Sequence, residues 1–221
     1  MDDPSLDPTR YFAALRALAR INALSGTWRA LSAPIFRFAR QTGRKKLRIL
    51  DVATGGGDVL IGLWRYARQR GLELDILAVD VSPRAIVFGC ARANAYGAAV
   101  EFSEVDVLAG ELPAGFDVVT CCLFLHHLDE PNVVLLLRSM ARASDHLVLA
   151  SDLARSRLGL MLAYLETWVL TFSEVARVDG VRSARAAFSL AEIRTLAAHA
   201  GLNDATVLRR WPCRYLLNWS R

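Results

Sequence analysis

The segment Leu50-Asp51-Val52-Ala53-Thr54-Gly55-Gly56-Gly57-Asp58 constrains this chain more than any other. It follows the apolar run from Leu47 to Leu50 and precedes a stretch with helical spacing. A strand that ends in glycines and turns into a helix lets the backbone approach a ligand closely. The free N–H groups at the helix N-terminus then face that ligand. Such a turn suits an adenosine-containing cofactor and belongs to alternating α/β architecture.

The rest of the chain repeats the alternation. Strand one is expected over about 47–53, with a helix over about 58–70 that stops at Gly71. Strand two, Leu74 to Val79, ends at Asp80. Ser82-Pro83 reads as an N-cap with proline at the first helical position, and that helix runs to about Tyr96, with Gly97 as its stop. Strand three is about 99–104, strand four Phe116 to Leu123, and strand five His146 to Ser151; Asp129-Glu130-Pro131 opens the helix between the last two, which ends near Ala143. The expected fold is α/β and Rossmann-like: a mostly parallel seven-stranded sheet, an antiparallel last strand, and helices on both faces.

The flanks depart from that rhythm. Apolar residues at helical spacing over 10–24 and again from Trp28 to Phe38, with Pro34 inside, predict two short helices and hence an N-terminal helical lid over 1–45. Residues 46–221 form the core domain, with a helical, arginine-bearing cap insertion over about 153–188 and a turn at Asp179-Gly180. Ser189-Leu190-Ala191-Glu192 has capping-box spacing and starts a helix that ends at Gly201. Two β-like runs follow, Ala205 to Trp211 and Arg214 to Trp219, split by Pro212 and expected to pair as an antiparallel edge.

Composition excludes several classes. Hydrophobic residues make up 53% of 221, which argues against disorder. Met1-Asp2-Asp3-Pro4 has no apolar signal core, and the apolar stretch from Leu158 to Phe172 is short for a span and holds Glu166. Cys90, Cys121, Cys122 and Cys213 lack metal-ligand spacing, so no metal site is expected, and they read as reduced thiols of a cytoplasmic protein. The net charge of +5 is scattered except for Arg37, Arg40, Arg44, Lys45, Lys46 and Arg48. That cluster reads as a solvated linker, with peripheral contact to an anionic membrane as the other reading. No nucleic-acid partner is expected, since the charge forms no stripe and the amino-directed DNA-methylation motif is absent.

Which adenosine cofactor the loop takes depends on two positions. A dinucleotide fingerprint needs a third small residue, and that place falls on Leu60. Asp51-Val52-Ala53-Thr54-Gly55-Gly56-Gly57 instead resembles the first motif of class I S-adenosylmethionine (SAM)-dependent methyltransferases, with Ala53 in place of the first glycine. The form LDVA-x-G-x-GD resembles the ubiquinone/menaquinone-biosynthesis branch. Asp80 at the end of strand two, Asp106 after strand three, and Phe116-Asp117-Val118 leading to Leu125-His126-His127-Leu128 match further family positions. The resemblance covers about 47–151, with a looser echo over 189–219.

That resemblance implies a SAM site made of Asp51, Ala53, Thr54, Gly55, Gly57, Asp80, Val81, Asp106, Val107 and Cys122. Asp80 would hold the ribose hydroxyls and Asp106 the adenine amino group, with Val107 by the ring. Asp51 would organise the glycine loop in preference to meeting the sulfonium. His126 and His127 follow strand four, where acceptors meet the methyl group, and either is a candidate general base. Orienting the cofactor loop or capping the next helix is the other reading for both.

The acceptor is expected to be a small apolar, aromatic or polyketide-like molecule of secondary metabolism. The expectation rests on Tyr11, Phe12, Trp28, Phe36, Phe38, Met161, Tyr164, Trp168 and Phe172 in the flanks. Arg155, Arg157, Arg177, Arg182 and Arg185 could meet an anionic group on it, although surface solvation suits most of them better. The quinone branch carries an Arg-Asn element after strand four, and this chain has His126-His127 there. O-methylation is therefore favoured over C-methylation of a quinone precursor. A SAM-binding accessory protein without turnover is the rival from another class.

Overall fold

The computed structural model describes residues 7–161 and 174–221. The flank residues Tyr164, Trp168 and Phe172 lie outside the described residues, as does the side chain of Arg177. Two helices come first, α1 (Pro8–Ser25) and α2 (Thr27–Thr42), joined at Gly26. Asp7 caps α1, and Pro8 occupies its first turn, where a missing N–H costs nothing. Pro34 lies inside α2 without ending it.

The core domain follows as β1 (Lys46–Val52), α3 (Asp58–Arg68), β2 (Glu73–Asp80), α4 (Pro83–Tyr96), β3 (Val100–Glu104) and β4 (Phe116–Cys122). A short 3-10 turn over Leu125–His127 leads to α5 (Glu130–Ala143) and β5 (Ser144–Leu153). The last elements are α6 (Glu174–Ala186), α7 (Leu190–His199), β6 (Thr206–Arg210) and β7 (Arg214–Ser220). Ser82, Asp129 and Ser189 cap α4, α5 and α7 with their side chains, and Ser189 forms a complete capping box with Glu192.

Seven strands form one sheet in the order β3-β2-β1-β4-β5-β7-β6. The first five pair in parallel, and β7 runs antiparallel to both its neighbours. The last strand therefore enters the sheet between β5 and β6, and β6 becomes the edge. Alternate residues feed two apolar layers. Leu50, Val52, Val119 and Val148 pack with α5 and α7, whereas Ile49, Ile76, Val118 and Leu149 pack with α2 and α3. Both layers cover the sheet, as a parallel sheet requires.

Two expectations need correction. Asp179-Gly180 lies inside α6 and makes no turn. A single glycine costs a helix only about 1 kcal/mol, which packing readily offsets. Leu123 is not part of β4, because its φ of 56° breaks the extended run. Among the described residues no helix is long and apolar enough to cross a membrane. The basic cluster is partly paired: Arg44 with Asp117, Lys46 with Glu73 at 2.8 Å, and Arg48 with the Gly115 carbonyl at 2.8 Å.

Candidate active site

The C-terminal ends of β1, β2 and β4 meet at the glycine loop. Gly55 has φ 56°, and a Cβ built there would meet nothing within 4 Å. Gly57 has φ 67°, caps α3, and would place a Cβ 2.8 Å from the Phe102 ring. The first glycine thus opens the backbone to solvent, and the second lets α3 sit close to β3. Ala53 holds φ 54°, a left-handed conformation that costs a residue with a Cβ roughly 1–2 kcal/mol. Leu60 is fully buried among the α3 contacts, away from any ligand role.

Asp80 braces this loop. One carboxylate oxygen accepts the Gly55 N–H at 2.7 Å and the other accepts the Ser82 N–H at 2.9 Å. The same side chain thereby joins the glycine loop to the start of α4. Each oxygen keeps a lone pair for a further donor. Val81 beside it is 61% exposed, an apolar side chain at the open end of the sheet. Asp106 is exposed, and one of its oxygens takes the N–H groups of Leu108 at 2.9 Å and Ala109 at 3.3 Å. Val107 is buried in the layer that packs with α5 and α7.

Asp51 lies beneath the loop and is 2% exposed. It accepts the Thr120 hydroxyl at 2.5 Å, and burial pushes its carboxyl up to about 7. The Thr54 hydroxyl lies near Asp51 but outside hydrogen-bonding geometry, and it is buried without a partner among the described residues. Cys122 closes β4 on the same side, and burial raises its thiol well above the ordinary value.

The two histidines are held differently. His126 is buried, and its Nδ1 is 2.6 Å from Asp152 Oδ1. Its backbone N–H also donates to Asp152 Oδ2 at 3.2 Å. Asp152 is the last but one residue of β5 and is 1% exposed. Burial works to raise its carboxyl, yet the charge and hydrogen bonds of His126 hold it below the usual range. An ionised carboxylate only accepts, so Nδ1 carries a proton toward Asp152 whether the ring is neutral or charged, and Nε2 is the nitrogen whose proton comes and goes. His127 is exposed, with its ring centroid 4.2 Å from that of His126.

Asp152 was not among the residues singled out in the sequence. An acid directly after the buried run from His146 to Ser151 was the available signal. The flanking aromatics divide. Tyr11 donates to or accepts from Ser82 Oγ at 3.0 Å, and Phe12 stacks on Phe88, so α1 lies against the start of α4. Trp28 and Phe36 pack on Tyr66, and Phe38 packs on His146 at the start of β5. Those three fasten α2 to the core. Met161 is 60% exposed. Arg155 pairs with Glu192, while Arg157, Arg182 and Arg185 are exposed.

Residues 49–146 match the family model described as "Methyltransferase domain". A ubiquinone biosynthesis O-methyltransferase from Ralstonia nicotianae is 28% identical over 162 residues, 72% of this chain and 60% of that protein. The chain spans less than two thirds of the length of the quinone-pathway relatives it matches. A SAM-dependent methyltransferase from Aquifex aeolicus has the same fold, with a TM-score of 0.63 at 18% identity over 98% of this chain and 99% of that one. Magnesium protoporphyrin IX methyltransferase from Synechocystis, solved with bound SAH (the demethylated cofactor), gives a TM-score of 0.60 at 17% identity over 89% and 83% of the two chains.

Proposed function

We propose that this chain is a class I SAM-dependent methyltransferase and that it methylates the hydroxyl of a small apolar, aromatic acceptor; the match of residues 49–146 to a methyltransferase domain supports the first part. The pair His126–Asp152 carries the reading. A phenol or quinol hydroxyl must lose its proton as it attacks a methyl group, and a positioned base near neutral pKa supplies that. Asp152 fixes the tautomer and orientation of the His126 ring and favours the imidazolium that forms when Nε2 takes the proton. C-methylation of a quinol would use the same base, since the ring carbon becomes nucleophilic as the neighbouring hydroxyl loses its proton; O-methylation is preferred on the likeness to ubiquinone biosynthesis O-methyltransferases.

SAM fits the loop described. The open face at Gly55, the buried unpaired Thr54 hydroxyl, the remaining lone pairs of Asp80 and the exposed Val81 give one edge suited to a ribose and an adenine. Asp80 would hold the ribose hydroxyls, Asp106 the adenine amino group, and Val81 and Val107 the ring. Ala53, Gly57 and Cys122 shape the backbone around its methionine end. SAM when bound supplies an activated methyl on a sulfonium. The chain aligns the acceptor oxygen, removes its proton, and excludes water beneath α1 and α6.

Incubation with labelled SAM and a panel of phenols and quinols should give methyl transfer to at least one. His126→Gln should lower kcat by at least about a hundredfold while SAH binding stays within about twofold. An H126Q variant as active as the wild type would remove the base assignment. SAH binding without transfer to any acceptor would favour a non-methylating accessory protein.

A further inference from the structure

We propose that the cavity between α1, α3 and α4 binds a benzoate-sized aromatic carboxylate, at a site separate from the methyl-transfer end of the sheet. The cavity has a volume of about 160 Å³. Three helical faces surround it. Helix α1 supplies Ala19, Asn22 and Ala23, α3 supplies Asp58, Gly62 and Arg65, and α4 supplies Arg92 and Tyr96, with Trp28 of α2 closing one wall. Each set recurs at three- or four-residue spacing and so shares one face of its helix. Leu60, Leu63 and Ala67 of α3 pack instead toward the sheet. Asp58 directly follows the glycine loop, and Arg65 lies about 10 Å further along α3. Arg92 lies about 15 Å along α4 from Ser82. The candidate active site stands at the starts of those helices, so the two arginines lie well behind it.

Size and chemistry together select the occupant. A cavity of about 150 Å³ lined by apolar side chains is large enough to hold benzene. Here Ala19, Ala23 and Gly62 leave the space open, and the Trp28 and Tyr96 rings wall it. Unlike a purely apolar cavity, this one also carries guanidinium groups. Arg92 Cζ lies 5.8 Å from the centroid of the Phe88 ring, and its Nε–H is buried with no hydrogen-bond partner among the described residues. Arg65 Cζ lies 5.2 Å from the Tyr96 centroid. A buried donor left unpaired is costly. A carboxylate takes a guanidinium through two parallel N–H bonds, and Nε–H is one of the donors on such an edge.

Asp58 is the acidic side chain of the lining, and it leaves the Arg92 Nε–H unpaired. Two arginines against one carboxyl make the cavity net positive. Burial also raises the Asp58 carboxyl toward its neutral form, against the opposing pull of Asn22 and Arg92. A neutral aromatic would fill the space and leave the Nε–H without an acceptor. A bare anion such as acetate would meet the donor and leave the space between the rings unfilled. An aromatic carboxylate does both. Because α1 forms one wall, an occupant would tie α1 to α3 and α4 without touching the reacting atoms. The inference does not depend on which acceptor the chain methylates.

Titration calorimetry with benzoate, benzyl alcohol and acetate tests the site. Benzoate should bind the unchanged protein with a Kd at or below about 1 mM, and at least about tenfold more tightly than either of the others. Arg92→Met keeps the aliphatic bulk and should bring benzoate down to the level of benzyl alcohol, with SAH affinity within about twofold. Arg65→Met, at an exposed position, should weaken benzoate by at least about threefold, and it serves as the test if R92M does not fold. His126→Gln should keep the preference for benzoate. If the unchanged protein binds benzoate no more tightly than benzyl alcohol or acetate, the proposal fails without recourse to any variant. A preference that survives R92M intact, or unchanged benzoate affinity in R65M, overturns it as well. A preference lost in H126Q and kept in R92M would put benzoate at the acceptor end of β4 and overturn it too.

Discussion

Asp51 couples the protonation of the site to the stability of the chain. Its carboxyl ionises near 3.8 when unfolded and near 7 in the fold, because burial penalises the charge. Between those values the folded chain holds a proton that the unfolded chain has lost. The stabilisation is full below about pH 4 and disappears as pH rises through 7. Urea unfolding of the wild type should therefore lose on the order of 4 kcal/mol across that window relative to Asp51→Asn, whose amide does not titrate. Parallel pH profiles for the two would refute the shift. A cationic cofactor would pull the same group toward its ionised form. Ala53 sets a second residue-scale expectation. Ala53→Gly should leave stability unchanged or raise it by up to about 1 kcal/mol, since relief of the left-handed strain outweighs the added freedom of the unfolded chain. Ala53→Val should destabilise, and a Tm order other than Gly at or above Ala, and Ala above Val, would refute the strain. Asp80 was legible in the sequence because it ends a strand and stands just before Ser82-Pro83. Asp152 was not, because its partner His126 lies 26 residues away and only the pairing of β4 with β5 brings the two together.

Local chemistry made most elements readable. Ser82, Asp129 and Ser189 each cap the helix that their spacing predicts, and the apolar runs of β1, β2 and β4 fall within a residue or two of expectation. What local chemistry could not convey is how elements are placed. The insertion of β7 between β5 and β6 is a long-range pairing with no signature in the runs Ala205 to Trp211 and Arg214 to Trp219. Gly180 looked like a turn because the pressure that keeps α6 helical comes from what it packs against. Gly62 marks such packing in the opposite sense. A Cβ there would lie 2.7 Å from Trp28 Cδ1, so α2 reaches α3 only because this position is bare. Gly62→Ala gains helix propensity of about 1 kcal/mol but forces the indole away from its seat, at a cost of roughly 1–3 kcal/mol. The expected net effect is a loss of stability, with Trp28 fluorescence shifted toward that of an exposed indole. A variant at least as stable as the wild type, with unchanged emission, would mean that the indole yields freely.

Across the whole molecule, the helices outside the sheet converge on its open end. Tyr11 and Phe12 fasten α1 to Ser82 and Phe88 at the start of α4, and Leu15 Cδ2 lies 3.9 Å from where a Cβ on Gly56 would stand. Helix α6 packs against both α1 and the turn that carries His126. A ligand in the glycine loop would therefore touch parts that are joined to α1 and, through α6, to the turn of His126 at once. SAH at about a hundred times its Kd should stabilise the chain by about 2.7 kcal/mol, a Tm rise of roughly 5–10 °C for a domain of this size. If α1 is the lid that we propose, hydrogen exchange should slow along 8–25 as well as at the loop. Phe12→Ala removes the ring that stacks on Phe88 without touching the loop itself. It should keep most of the loop protection and lose most of that in α1. Protection confined to residues 53–58 and 80–82, with α1 exchanging as fast as before, would reduce α1 to a fixed wall.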